Sequence, residues 1–221
     1  MRKRCSRARS EPAKLLGVKI DFVRERLGAH VPEKSELPGE AHASVAIVFR
    51  EGPESIEVLL IERAEREGDP WSGHMAFPGG RLEDHDDSSR TTARRETFEE
   101  VGIELASAEY LGRLDDIEGN PRASATLVVA AHAFYLVEEQ EFELAPREVQ
   151  AAFWFPLADM LEEARSVEYA MAHRPDARYP GILVGIPDRH VVWGLTYRFV
   201  ENLMDVLGHA IPGAAPRSSN P

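Results

Sequence analysis

The stretch Gly79-Gly80-Arg81-Leu82-Glu83, continuing through Asp84 to Ala93 and closing as Arg94-Arg95-Glu96-Thr97-Phe98-Glu99-Glu100-Val101-Gly102-Ile103, decides how this chain is read. Asp86, Asp87, Ser88 and Ser89 are N-cap residue types and Gly102 is a C-terminal stop, so Asp86 to Val101 is predicted to be a helix. On it, Glu96, Glu99 and Glu100 stand at i, i+3 and i+4, which puts three carboxylates on one face. Like charges at that spacing repel, and the arrangement costs stability unless a cation compensates. Clustered hard oxygen ligands suit Mg2+ or Mn2+. A solvated acidic helix face is the plain alternative. The Gly79-Gly80 turn argues against it, because glycines let backbone carbonyl and amide groups come close to a metal or a phosphate. Arg95, at i−4 from Glu99, is placed to orient that carboxylate or neutralise part of the cluster.

Upstream of this segment, Ala43 to Phe49 and Ile56 to Ile61 flank the turn-like Glu51-Gly52-Pro53-Glu54 and predict a hairpin. After a loop at Arg66 to Gly73, the short run Met75-Ala76-Phe77 ends in Pro78-Gly79-Gly80. Downstream, strands are expected at Tyr110 to Leu114, Ala125 to Val137, Ala151 to Phe155, Ile182 to Ile186 and Val191 to Trp193. A short helix is expected at Leu157 to Ala164, and Gly194 to Leu207 reads as an amphipathic helix with Leu195, Phe199, Leu203 and Val206 along one face. Strands outnumber helices without regular βαβ alternation, which indicates an α+β sandwich.

Residues 1–38 are read as a helical extension and linker, 39–211 as the main domain and 212–221 as a disordered tail. Within the extension, Leu15, Leu16, Val18, Ile20, Phe22, Val23 and Leu27 predict a helix over Pro12 to Leu27, followed by a polar linker at Pro32 to Glu40. The basic segment Met1 to Ser10 reads as a solvated tail, since no apolar run of signal-peptide length follows it. Cys5 is the only cysteine, so neither an intrachain disulfide nor a cysteine-based metal site is expected, and a reducing, cytoplasmic setting fits. No stretch offers the roughly 18 apolar residues of a membrane span. The formal net charge of −12 argues against a large nucleic-acid surface. It is compatible with phosphate chemistry in which divalent cations sit between carboxylates and substrate oxygens.

These residues resemble the Nudix hydrolase family, whose pattern reads G-x5-E-x7-R-E-U-x-E-E-x-G-U, with U a bulky apolar residue. Arg95-Glu96, Glu99-Glu100, Gly102 and Ile103 match its second half. The first half departs: Asp87 stands where the isolated Glu belongs, one extra residue separates it from Gly80, and Thr97 takes an apolar position. Asp87 is therefore read as a helix cap. The longer box is similar to that of the coenzyme A diphosphatase branch, which has Phe-Pro-Gly-Gly before it and Thr-Ala shortly before Arg-Glu. Here these are Phe77-Pro78-Gly79-Gly80 and Thr92-Ala93. The upstream signature of that branch is met at Leu59, Leu60, Arg63, Ala64 and Gly73 but not at Ile61 or Asp69.

The resemblance implies a Nudix-type α/β/α sandwich with a mixed sheet. It implies Mg2+ or Mn2+ held by Glu96, Glu99, Glu100 and the Gly80 carbonyl, with Glu148 as a further acid from a later loop. Catalysis is then assigned to Glu99, Glu100 and Arg95, with either glutamate as general base. Arg63 and Gly79 are the expected substrate contacts. The implied partner is a nucleotide-like diphosphate small molecule, coenzyme A or an acyl-CoA first, with no nucleic-acid polymer and no membrane; a homodimer is also entertained. ADP-ribose, dinucleotides and nucleoside triphosphates are the competing substrates, and a non-catalytic ligand-binding regulator is the competing class. His74, His132, His173 and His190 share no metal-ligand spacing and read as structural. Trp71 and Trp154 read as packing residues, and Asp115-Asp116 as a turn.

Overall fold

The computed structural model describes residues 18–36, 42–66, 71–122, 125–171 and 174–213. The expected basic tail, the start of the N-terminal helix, parts of the linker and of the 66–73 loop, and the end of the C-terminal tail lie outside the described residues.

The apolar hairpin forms as expected. β1 (Ala43–Glu51) pairs antiparallel with β2 (Ile56–Arg63), with Phe49 opposite Val58. β3 (Met75–Ala76) pairs with β2, and β4 (Gly79–Arg81) pairs with β1 in the register Ser44 to Gly80. After α2 (Ser89–Val101) come β5 (Glu109–Arg113), β6 (Ile117–Arg122) and β7 (Ala125–Tyr135). β7 runs parallel to β1, and β5 and β6 pair antiparallel with β7. β8 (Val149–Pro156) pairs antiparallel with the outer side of β2, so the sheet is mixed. A separate three-stranded sheet is built from β9 (Ser166–Met171), β10 (Arg174–Leu183) and β11 (Val191–Trp193).

Side-chain alternation sorts the large sheet into two buried faces. Ile47 and Phe49 of β1 with Val58 and Leu60 of β2 join the cluster that holds Val23 and Leu27 of α1 (Ile20–Ala29) and Phe199, Val200 and Leu203 of α3 (Gly194–Leu207). Ala46, Val48, Leu59 and Ile61 pack instead with Ala93 and Val101 of α2. The result is the expected three-layer α/β/α sandwich. It explains why β1 and β2 are almost continuously apolar: both faces of each strand are covered.

The structure differs from the sequence reading at several elements. α2 starts at Ser89, not Asp86, because Ser88 is the N-cap and its Oγ accepts the Thr91 N–H at 3.2 Å. Asp87 is exposed, so the cap assigned to it belongs to Ser88. Leu157 to Ala164 forms two short 3-10 turns, Leu157–Leu161 and Glu163–Arg165, rather than an α-helix. β6 and β9 lack a long apolar run and were not legible; β6 is made by register with β7, and β9 by register with β10. The N-terminal helix occupies Ile20–Ala29 and belongs to the main core, where Leu27 is 1% exposed.

Truncating a ring in the core between the sheet and α1 and α3 should cost far more than truncating a rim side chain. Phe49→Ala, at 0% exposure, is expected to lose about 3–5 kcal/mol, whereas Val137→Ala, at 69%, should stay within about 0.5 kcal/mol. Urea midpoints of the two variants check this.

Candidate active site

Two glycines bring β4 against the carboxylate helix. Gly79 has φ 155°, and a Cβ there would lie 2.3 Å from the Ser44 carbonyl oxygen. A Cβ on Gly80 would lie 2.3 Å from Cδ of Glu96, so the Glu96 carboxylate rests directly on the Gly80 backbone. No other residue allows this approach. The Gly79 N–H donates to Oε2 of Glu100 at 2.9 Å, which ties the second carboxylate to the same turn. The helix ends at Gly102, whose φ of 73° closes it in the left-handed conformation. A Cβ on Gly102 would sit 2.7 Å from Cβ of Glu143. Here the 143–149 segment docks, with Glu143 N–H donating to Val101 O and Ala145 N–H to Glu100 O.

Arg95 organises the other side. Its Nε and Nη2 donate to the two oxygens of Asp86 at 3.1 and 2.9 Å. Nη2 also reaches the Arg81 carbonyl at 3.1 Å, and Nη1 lies 2.9 Å from both Glu96 Oε1 and Glu99 Oε2. The Asp86 side chain is 1% exposed and further accepts the Glu83 N–H and the Thr92 hydroxyl, each at 3.0 Å. The hydrogen bonds from Arg95 hold its carboxyl down at about 2 despite desolvation. Asp86 is the residue that the sequence reading missed. Counted back from Arg95, the isolated acid of the box falls on Asp87; counted forward from Gly80, it falls on Asp86. The side chains select Asp86, so the extra residue of this box lies between the acid and the helix.

Glu100 is 3% exposed. Burial pushes its carboxyl up to about 8, opposed by the Gly79 N–H and the Arg63 charge and reinforced by Glu96 and Glu148. Burial also raises Glu96, opposed by Arg95 and reinforced by Glu99 and Glu148. These influences place Arg63 and Glu148 in the electrostatic neighbourhood of the pair. Glu148 lies 3.7 Å from Arg66, and its carbonyl accepts the Ala64 N–H at 2.8 Å. Glu99 is half-exposed and turns to Arg95. Among the described residues, no three acidic or His side chains stand close enough to share one metal ion. Thr97, out of pattern for an apolar position, is fully buried and satisfies its hydroxyl by donating to Ala93 O at 2.7 Å.

A model of the NUDIX domain matches residues 40–174. The chain belongs to the Nudix family. Among curated Nudix relatives, a coenzyme A diphosphatase of Caenorhabditis elegans named as peroxisomal, ndx-8, is 37% identical over 138 residues, covering 60% of this chain and 55% of its own. The Escherichia coli Nudix hydrolase NudL is 28% identical over 137 residues, covering 62% of this chain and 68% of its own. A Schizosaccharomyces pombe protein, C14C4.10c, is 39% identical over 142 residues, covering 56% of this chain and 43% of its own. The chain thus spans about half the length of the first two curated relatives it matches.

The structure gives packing or hydrogen-bond partners to other residues singled out in the sequence. His132 is buried between Ser89 and Tyr110, and His190 stands beside Glu62. His74 packs edge-on to Trp193, and Trp154 stacks on Phe142 beneath Arg50. Asp115 anchors the segment after α1, accepting from Glu33 N–H, Asn202 and His30. His173 lies outside the described residues.

Removing the Asp86 carboxylate leaves a mostly buried guanidinium short of a partner. Asp86→Ala should therefore cost about 1–3 kcal/mol, and Asp87→Ala close to nothing. The folded pKa of Asp86 is depressed, so its contribution is complete above its ordinary value of 3.8 and is lost as pH falls toward about 2. The stability gap between wild type and Asp86→Asn should narrow across that window, as followed by urea melts at stepped pH.

Proposed function

We propose that this Nudix chain is a divalent-cation-dependent hydrolase that cleaves the diphosphate linkage of a nucleotide-derived small molecule, with coenzyme A or an acyl-CoA as the first candidate. The observation that carries the reading is the desolvated pair of buried Glu100 and partly buried Glu96, seated on Gly79 and Gly80, whose charge the nearby cations do not fully offset. Buried carboxylates raised in this way call for a hard cation, and the donor set is all oxygen. Glu96, Glu100 and the Gly80 carbonyl, seated on one turn, are the groups that would hold it first; Glu99 and Glu148 would join them only by turning their side chains toward it, since no three described acids stand close enough to share one ion. When bound, Mg2+ or Mn2+ supplies neutralisation of the diphosphate oxygens and a water of lowered pKa.

The chain's own residues divide the remaining work. Glu99, half-exposed and oriented by Arg95, takes the proton from the water that attacks phosphorus. The new P–O bond forms as the bridging P–O bond breaks, and the leaving phosphate carries off the electron pair. Arg95 holds Glu96 and Glu99 in place through its anchorage on Asp86. Arg63, beside Glu100, meets a substrate phosphate. The Thr92-Ala93 and Phe77-Pro78-Gly79-Gly80 matches, together with the nematode relative's name, support a coenzyme A-type substrate.

A panel of coenzyme A, ADP-ribose, dinucleoside polyphosphates and nucleoside triphosphates, each with Mg2+ and with Mn2+, tests the proposal. Coenzyme A should be cut at its diphosphate, EDTA should abolish turnover, and Glu99→Gln should lower kcat about a hundredfold or more with KM little changed. No cleavage of any substrate, or Glu99→Gln and Glu100→Gln proteins as fast as wild type, would overturn it.

A further inference from the structure

At the opposite end of α2 lies a cavity of about 520 Å3, within the size range of small-molecule sites. Among the described residues, Lys34, Arg90 and Arg113 line it with one lining carboxylate, Asp116, which pairs with Arg113; Glu118 accepts from the lining Ser35 hydroxyl at 2.7 Å. Neither Lys34 nor Arg90 has a carboxylate partner among the described residues; Arg90 lies over the Tyr110 ring at 4.9 Å. In a chain of net charge −12, this is a concentration of uncompensated positive charge. One wall comes from the segment after α1, which is pinned by Glu33 and Ser35 N–H groups donating to Asp115 and Asp116.

The floor is built to donate. His132 is 4% exposed and bonds Ser89 Oγ through Nε2 and Tyr110 Oη through Nδ1, each at 3.0 Å. Desolvation, then the charges of Arg113, Arg90 and Lys34, holds its pKa down at about 3, so the ring is neutral. A neutral imidazole has one donor and one acceptor nitrogen. One of the two hydroxyls therefore donates to the ring and the other accepts from it, and the accepting hydroxyl keeps its own hydrogen. In either tautomer the cavity is left with one O–H to offer.

We propose that this cavity binds a phosphate-bearing small molecule through Lys34, Arg90, Arg113 and a hydroxyl of Ser89 or Tyr110, at a site separate from the Glu96–Glu100 cluster. Ser89 and Glu96 are seven residues apart on α2, about 10 Å along its axis. The net positive lining suits a dianion, and the volume leaves room for an organic group beyond the phosphate itself.

Calorimetric titration of the full chain in EDTA tests this, because the acid cluster then repels anions and the cation-lined cavity still attracts them. Inorganic phosphate and adenosine 5′-monophosphate should bind, and adenosine should not. Lys34→Gln combined with Arg90→Gln, both on exposed positions, should weaken phosphate binding by about tenfold or more, while Glu99→Gln should bind as wild type does. Failure of phosphate to bind at roughly millimolar concentration overturns the proposal. Equal binding of adenosine, survival of binding in the double variant, or its loss in Glu99→Gln would do the same. The titration uses no metal and no turnover, so its failure leaves the hydrolase reading untouched.

Discussion

Three carboxylates within five consecutive helical positions can share a face only if something cationic is fixed among them, and Arg95 is that cation. Its guanidinium is oriented from outside the helix. Asp86, held by the Glu83 N–H and the Thr92 hydroxyl, grips Nε and Nη2, and this aims Nη1 at Glu96 and Glu99. The loop before α2 and the helix are thereby one electrostatic unit. Glu100 lies beyond Arg95's reach and answers instead to the Gly79 N–H and to Arg63. Glu99 is answered by Arg95 and Glu100 is left under-neutralised, while Glu96 belongs to both sets: it is held by Arg95 yet raised by burial.

The seating of Glu96 and Glu100 depends on backbone geometry more than on charge. β4 is only three residues long, yet its pairing with Ala43, Ser44 and Val45 fixes Gly79 and Gly80 relative to the sheet. Because both positions exclude a Cβ, the helix can settle until the Glu96 carboxylate touches backbone. The small buried face of α2, with Ser89, Thr92, Ala93 and Thr97, permits the same close approach along its length. Hydrophobic burial by α2 is modest. Its position is set by caps, by the glycine turn and by the docking of 143–149 on its last turn.

Much of this was legible in the sequence because it rests on strong local signals. The β1–β2 hairpin, the glycine turn, the stop at Gly102 and the α3 span are fixed by apolar runs or by residues with one conformational use. Helical spacing puts Glu96, Glu99 and Glu100 on one side of α2, but it does not show that Glu99 turns out to Arg95 while Glu100 is buried. Asp86 was not legible: two acids sit side by side, and only tertiary placement of Arg95 tells which one is buried. β6 and β9 were missed for a related reason, since partner register creates them rather than their own pattern. The neighbourhood of Arg63 and Glu148 spans elements far apart in the chain, which spacing cannot reveal.

α2 emerges as a divider between two electrostatic regimes. Its second half carries acid that is desolvated against Gly79 and Gly80; its first turn opens on Lys34, Arg90 and Arg113. The two do not touch, because they are about 10 Å apart along the helix. The macrodipole reinforces the pattern, since the N-terminal end favours anions. Coupling between the ends requires a contact that differs with occupancy, not proximity alone. Asp86 bonds residues on two successive turns of α2, Thr92 and Arg95. It lies three residues before Ser89, is bound to Arg95 through both oxygens, and bonds Thr92 one turn into α2.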